Sequence, residues 1–290
     1  MLQIQKVKTD WSATLPGGLT WYFVGQPKSG KTTAASKWSQ LGSEGVLVID
    51  TDLGADFVDG ANVVTVTSLN TPGRVKEKDG VKITKNGQPQ IEAVPPDERG
   101  YFYRAGNKKG EKMPVYSLKE VVDDLKKNWH DYNYDTIVID TIDMVNTWIE
   151  EIVTKELGID NMGDGQWGAD WAKARKKNIS IVSDLQRFIK KVGANLILIS
   201  HAKLTSVVDG KAQLGPQLPS GLGRSLTAHA DVIGYVTCNK DNQGHYISFE
   251  SYDERMIGSR LRPLAQKSLP LDYNTIMNEI KTYKEGDNAD

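Results

Sequence analysis

The run Gly25-Gln26-Pro27-Lys28-Ser29-Gly30-Lys31-Thr32 constrains what this chain can fold into more than any other feature. It fits the spacing G-x-x-x-x-G-K-[ST], which works as a tight turn between a buried strand and the first turn of a helix. The flanks supply both: Leu19–Val24 is an apolar run that reads as a strand, and a helix is expected to open near Lys31. Such a unit belongs to an α/β fold with a mainly parallel sheet flanked by helices. Four further runs read as strands buried on both faces: Gly45–Ile49, Asn62–Val66, Thr136–Ile139 and Asn195–Ile199. Two later runs, Asp231–Thr237 and His245–Glu250, surround a polar turn at residues 239–244 and read as an antiparallel C-terminal hairpin.

Helical spacing fills the intervals. Ser117 followed by Glu120 is a capping box, and Leu118, Val121, Val122, Leu125 and Trp129 then share one face. Ile142, Val145, Ile149, Ile152 and Val153 mark a second amphipathic helix. Asp170 is expected to cap a third, running to Val192 and stopping at Gly193. Residues 70–114 break the rhythm. They are rich in Gly, Pro and Lys, carry ten Lys/Arg against six Asp/Glu, and contain the turn signal Asn86-Gly87. A structureless loop of this length is unusual in a compact domain, so the segment reads as an inserted β-hairpin lobe. No internal repeat is visible. Residues 1–270 are thus expected to form one core with this insertion, and 271–290 a C-terminal helix with an acidic tail.

Charge and composition narrow the partners. The formal net charge of -1 excludes a global positive field, so any polyanion must be met by a local basic surface. A single cysteine, Cys238, excludes an intramolecular disulfide and fits a reducing compartment. The first ten residues lack the apolar core of a secretory signal, and no apolar run approaches the roughly 18–20 residues that span a bilayer. A cytoplasmic location and no membrane partner are expected.

The chemistry of the opening motif points to a nucleoside triphosphate with magnesium. Its glycines let backbone N–H groups turn inward around phosphates, so Gly25, Gln26, Pro27, Lys28, Ser29, Gly30, Lys31, Thr32 and Thr33 are the phosphate-binding candidates. Lys31 supplies a point charge to the β- and γ-phosphates, and Thr32 offers a hydroxyl to Mg²⁺. Thr136-Ile137-Val138-Ile139-Asp140 ends in a carboxylate at the sheet edge where ligands bind, which makes Asp140 the second metal-side candidate. Two other strands end in polar groups: Val46-Leu47-Val48-Ile49-Asp50-Thr51-Asp52 and Asn195-Leu196-Ile197-Leu198-Ile199-Ser200-His201.

The order of these four motifs resembles the core of RecA-like P-loop ATPases, and is most similar to phage-encoded RecA-like single-strand annealing and recombination ATPases. The resemblance spans about residues 15–265 without the insertion. It implies ATP and Mg²⁺ as cofactors, ATP hydrolysis stimulated by DNA, and a homo-oligomer, ring or filament, with ATP at subunit interfaces. Single-stranded DNA is the implied partner, with a single-strand-binding protein as a second. By alignment, Asp52 takes the place of the general base, where that family usually has glutamate; Asp50 competes for the role and Asp56 is a nearby carboxylate. His201 takes the place of the γ-phosphate sensor. Arg255, Arg260 and Arg262 follow the last strand, where such proteins place an arginine finger, and Arg260 between Gly258-Ser259 and Leu261 is the favoured one. The DNA-binding loops correspond to Gly158–Ala169, with Trp167, and Ala202–Leu226, with Lys203, Lys211 and Arg224; Lys173, Arg175, Lys176 and Lys177 add a basic cluster. The alternatives are a ring helicase or loader, and a P-loop regulatory switch or small-molecule kinase that does not act on DNA.

Overall fold

The computed structural model describes residues 17–102, 113–208, 211–239, 244–251 and 256–283. The N-terminal segment and the acidic tail from residue 284 therefore lie outside the described residues. The core strands are β1 (Thr20–Gly25), β2 (Val46–Asp50), β3 (Asn62–Ser68), β4 (Tyr116–Ser117), β5 (Thr136–Asp140), β6 (Asn195–Val208), β7 (Lys211–Pro216), β8 (Val232–Cys238), β9 (His245–Ser248), β10 (Gly258–Ser259) and β11 (Ser268–Pro270). The helices are α1 (Lys31–Ala35), α2 (Leu118–Asn128), α3 (Ile142–Leu157), α4 (Ala169–Val192), α5 (Ser220–His229) and α6 (Tyr273–Thr282).

Among the described residues these strands form one sheet in the order β4-β3-β2-β5-β6-β1-β8-β9-β11, with β7 on β6 and β10 on β8. Every pairing from β4 across to β8 is parallel. The β8–β9 pair is the expected antiparallel hairpin, and β11 rather than β9 lies at its outer edge. Alternation within each strand explains why both faces need cover. Tyr22 and Val24 face one core with Leu47, Ile49, Ile137, Ile139, Leu196 and Leu198, under α2, α3, α4 and α5. Trp21 and Phe23 face the other with Val48, Val138, Ile197 and Ile199, under Trp38 and α6. There Trp38 meets Trp21, Phe23 and Tyr273 edge-on at ring separations of 5.2, 4.9 and 5.9 Å. Each such pair adds about 0.5–1.5 kcal/mol beyond burial.

Three expectations change. First, β6 does not stop at Ile199 but continues through His201 to Val208 and folds back on β7, so the first part of the expected Ala202–Leu226 loop is a β-hairpin and its end is α5. Second, Asp170 does not cap α4: Gly168 does, and the Asp170 carboxylate instead accepts hydrogen bonds from the backbone N–H of Gly163 and, at 2.8 Å, Trp171. It thereby fastens the segment that follows α3. Third, the insertion does contain a repeat. Residues 77–82 and 84–89 form two hairpins, each with two positive-φ residues at its tip, Asp79-Gly80 and Asn86-Gly87. These tips have the geometry whose twist suits a two-residue hairpin. Gly73–Val75 pairs with Ile91–Ala93 to close the base. At the junction Lys76 N–H donates to Gln90, Gln90 N–H to Ile83 and Ile83 N–H to Lys76, each at 2.8 Å. The seven-residue spacing of Lys76, Ile83 and Gln90 is invisible in a sequence whose two repeats share only Lys, Gly and a turn residue.

Candidate functional site

Parallel pairing brings every strand-end motif to one carboxyl edge. Gly25 at the end of β1 is level with His201 of β6, and Asp140 at the end of β5 lies between Asp50 of β2 and Ile199 of β6. The loop between β1 and α1 is tightly fitted. Gly30 has φ 92°, and a Cβ there would lie 2.8 Å from Nδ1 of His245, whose ring also bonds the Ser29 carbonyl at 2.8 Å. A Cβ on Gly25 would lie 2.5 Å from the Val236 carbonyl oxygen. The first and last glycines are thus demanded by the close approach of β8 and β9 as well as by the turn itself.

Lys31 is 5% exposed, and its Nζ donates to the carbonyls of Gly25 at 2.9 Å and Gln26 at 2.8 Å. Burial lowers its pKa, opposed by the charges of Asp140, Asp143 and Asp52. Beside it the buried Ser29 hydroxyl has no hydrogen-bond partner among the described residues, which suits an acceptor oxygen of a phosphate. The Thr32 hydroxyl donates to Oδ2 of Asp140 at 2.5 Å. Burial pushes Asp140 up to about 6, helped by the charges of Asp52 and Asp50 and opposed by Thr32 and Lys31. The following Asp140–Thr141 peptide is cis.

The two competing carboxylates are in different situations. Asp50 is buried, and its oxygens accept from Gly54 N–H at 3.1 Å and Ala55 N–H at 3.2 Å, so it holds the turn after β2. Asp52 is exposed to the cleft, accepts from Gly54 N–H at 3.1 Å, and has its pKa raised by desolvation. Thr51 between them binds β5: its hydroxyl accepts from Thr141 N–H at 2.7 Å and donates to the Thr141 carbonyl at 2.9 Å. Asp56 sits one turn on, in the short helix Ala55–Phe57. Two hollows lie near this edge of the sheet. A cleft of about 540 Å³ takes in Asp52, Asp143, Trp171, His201, Lys203 and Gln217. A second pocket, of about 490 Å³, is lined by Gly30, Thr33, Lys37, Gln40, His245 and Tyr273 among others.

Residues 18–261 match a family model described as an AAA domain. The chain belongs to the AAA-domain family. It is therefore an ATP-binding P-loop NTPase of the AAA+ superfamily, and the family is consistent with ATP hydrolysis. No curated protein matches the chain.

The remaining candidates of this AAA domain are scattered. Arg260 follows β10, which pairs with the first residues of β8, so it lies at the sheet edge opposite the phosphate loop. Its guanidinium contacts Asp231 at 3.2 Å and the Ala228 carbonyl at 2.7 Å, with the side chain 62% exposed. Arg262 is exposed in the turn after it, and Arg255 lies outside the described residues. Trp167 is fully exposed in a left-handed conformation, φ 56°. Lys173 and Lys177 both pair with Glu156 at 2.9 Å, so two of the four cations of the α4 cluster share one carboxylate within the chain. Arg175 lies against Gly221 of α5, while Lys176 and Arg224 are exposed. Lys211 belongs to β7, with its side chain outside the described ones. Asp143, Thr51, Trp171, His245 and Tyr273 were not legible as site residues: nothing marks them until the sheet edge is assembled.

Proposed function

We propose that the chain is an ATP-hydrolysing, RecA-like DNA recombination protein that binds or anneals single-stranded DNA. The observation that carries the hydrolytic part is the meeting of Lys31, Thr32, Asp140, Asp52 and His201 at one sheet edge. Lys31 exchanges its two carbonyl partners for β- and γ-phosphate oxygens, and Ser29 with the backbone N–H groups from Lys28 to Thr33 completes the cradle. Thr32 and Asp140 would hold a magnesium, which would supply neutralising charge to the phosphates. The charges of Asp52, Asp140 and Asp143 act on Lys31, and that of Asp50 on Asp140, a concentration of negative charge that suits such a cation. Asp52 takes the proton of the attacking water, a role suited by its raised pKa and open position. His201 reads the γ-phosphate. The nucleobase enters the 490 Å³ pocket beside Tyr273, since that pocket begins at Gly30 and Thr33.

The DNA-binding part rests on aromatic and basic groups, of which Trp171 and Lys203 line the cleft. Trp167 and Trp171 offer faces on which bases stack, and Lys176, Lys203 and Arg224 offer phosphate contacts. An oligomer that shares each site between neighbours is part of the same reading. Arg260 serves as its finger only by giving up Asp231 and Ala228 for a neighbour's phosphate.

The test is ATP hydrolysis with and without single-stranded DNA over a salt series. Strong stimulation that weakens with salt, without unwinding, is expected. Directional unwinding favours a helicase or loader, and hydrolysis indifferent to DNA favours a switch or small-molecule kinase.

A further inference from the structure

The strand β6 outlasts its neighbour. β5 pairs with it only as far as Asp140 opposite Ile199, so Ser200 and His201 lose their ladder partner on that side. Asp143, in the first turn of α3 directly after β5, takes over: its Oδ2 accepts the His201 backbone N–H at 2.7 Å, and its other oxygen accepts from the Ser200 hydroxyl. The same Oδ2 lies 3.3 Å from Nδ1 of His201. A carboxylate there favours the proton on Nδ1 and leaves Nε2 as an acceptor in a cleft the ring shares with Asp52. Ser200 carries the link onward, since its hydroxyl accepts from Gln217 N–H at 3.2 Å and Gln217 N–H also donates to the His201 carbonyl at 2.7 Å. Gln217 directly follows β7. One carboxylate therefore fixes the backbone, the ring and the root of the β6–β7 hairpin together.

We propose that Asp143 is the positioning residue for ATP hydrolysis, holding His201 in one tautomer and orientation at the cleft and locking it to the base of the β6–β7 hairpin. This rests on the reading of His201 as part of the hydrolytic site. An acidic residue in a first helical turn also stabilises the helix dipole, so loss of stability alone does not distinguish the two roles. Coupling between the residues does.

The experiment is a double-mutant cycle on the full chain with Asp143→Asn, His201→Ala and both, reading steady-state kcat and KM for ATP alongside thermal unfolding. Asp143→Asn is expected to lower kcat about 10- to 100-fold with KM within about twofold. The double variant is expected to be no slower than His201→Ala alone, because the carboxylate has nothing left to position. Losses that multiply, or an unchanged kcat in Asp143→Asn while His201→Ala is slow, overturn the proposal and leave the site reading intact. An unchanged kcat in His201→Ala overturns both. If Asp143→Asn does not fold, Asp143→Glu in the same cycle reads the same coupling.

Discussion

Asp50 and Asp52 are two residues apart, yet one is spent on the fold and the other faces the cleft. Asp50 is buried with its oxygens on two backbone N–H groups, whereas Asp52 keeps its carboxylate at the cleft surface. Replacing Asp52 with Asn should leave ATP binding within about twofold and lower kcat on the order of 10²–10⁴-fold, the contribution of a positioned base. Equilibrium binding and steady-state turnover measured on the same preparation check this, and equal loss of both counts against Asp52 as the base. Tyr273 offers a second test. Its ring lines the pocket beside Thr33 and leans on Trp38. Tyr273→Ala should raise the KM for ATP about tenfold, the loss of roughly 1.4 kcal/mol of ring contact, while Tyr273→Phe stays near the parent value. A Tyr273→Ala KM unchanged from the parent places the base elsewhere.

At the level of elements, an ion pair ties the insertion to the core. The Arg99 guanidinium, scarcely exposed, bonds Glu120 and the Val94 carbonyl, and Glu120 also closes the capping box of α2 with Ser117. Arg99 holds Glu120 down to about 2. A depressed carboxylate stabilises the fold above its unfolded value near 4.5, and that stability is lost as pH falls through about 2. Glu120→Gln should therefore cost on the order of 1–3 kcal/mol at pH 7, and the difference should vanish near pH 2. Denaturant melts of both proteins across that range measure it. The capping box, the alternating strands and the phosphate loop were legible because each is a local pattern with a physical cause within a few residues. The reach of β6 beyond His201 was not, because the sequence Asp209-Gly210 between it and its partner β7 fits a loop as well as a hairpin. Asp170 misled for a related reason. It has the right chemistry for a cap but lies inside the helix, where one oxygen serves the preceding segment at Gly163 and the other accepts from Trp171 N–H. Asp143 looked like one acidic residue in a helix start until β5 ended beside β6.

The core is built on a largely parallel sheet whose carboxyl edge carries the phosphate loop, the carboxylates and His201, while Arg260 lies at the far edge. That separation makes the shared-site proposal testable. Arg260→Ala and Asp52→Ala chains, each slow alone, should recover part of the turnover when mixed, since some interfaces then combine an intact base with an intact arginine. No recovery at any ratio counts against a finger from a neighbouring chain. Among the described residues no helix is long and apolar enough to cross a membrane, and the single described cysteine, Cys238, is exposed and free. The claim on which everything else depends is that triphosphate is held and cleaved at Gly25–Thr32. ATP turnover by Lys31→Ala measured against the parent chain tests it most directly: the account predicts turnover abolished, and a rate equal to the parent's contradicts it.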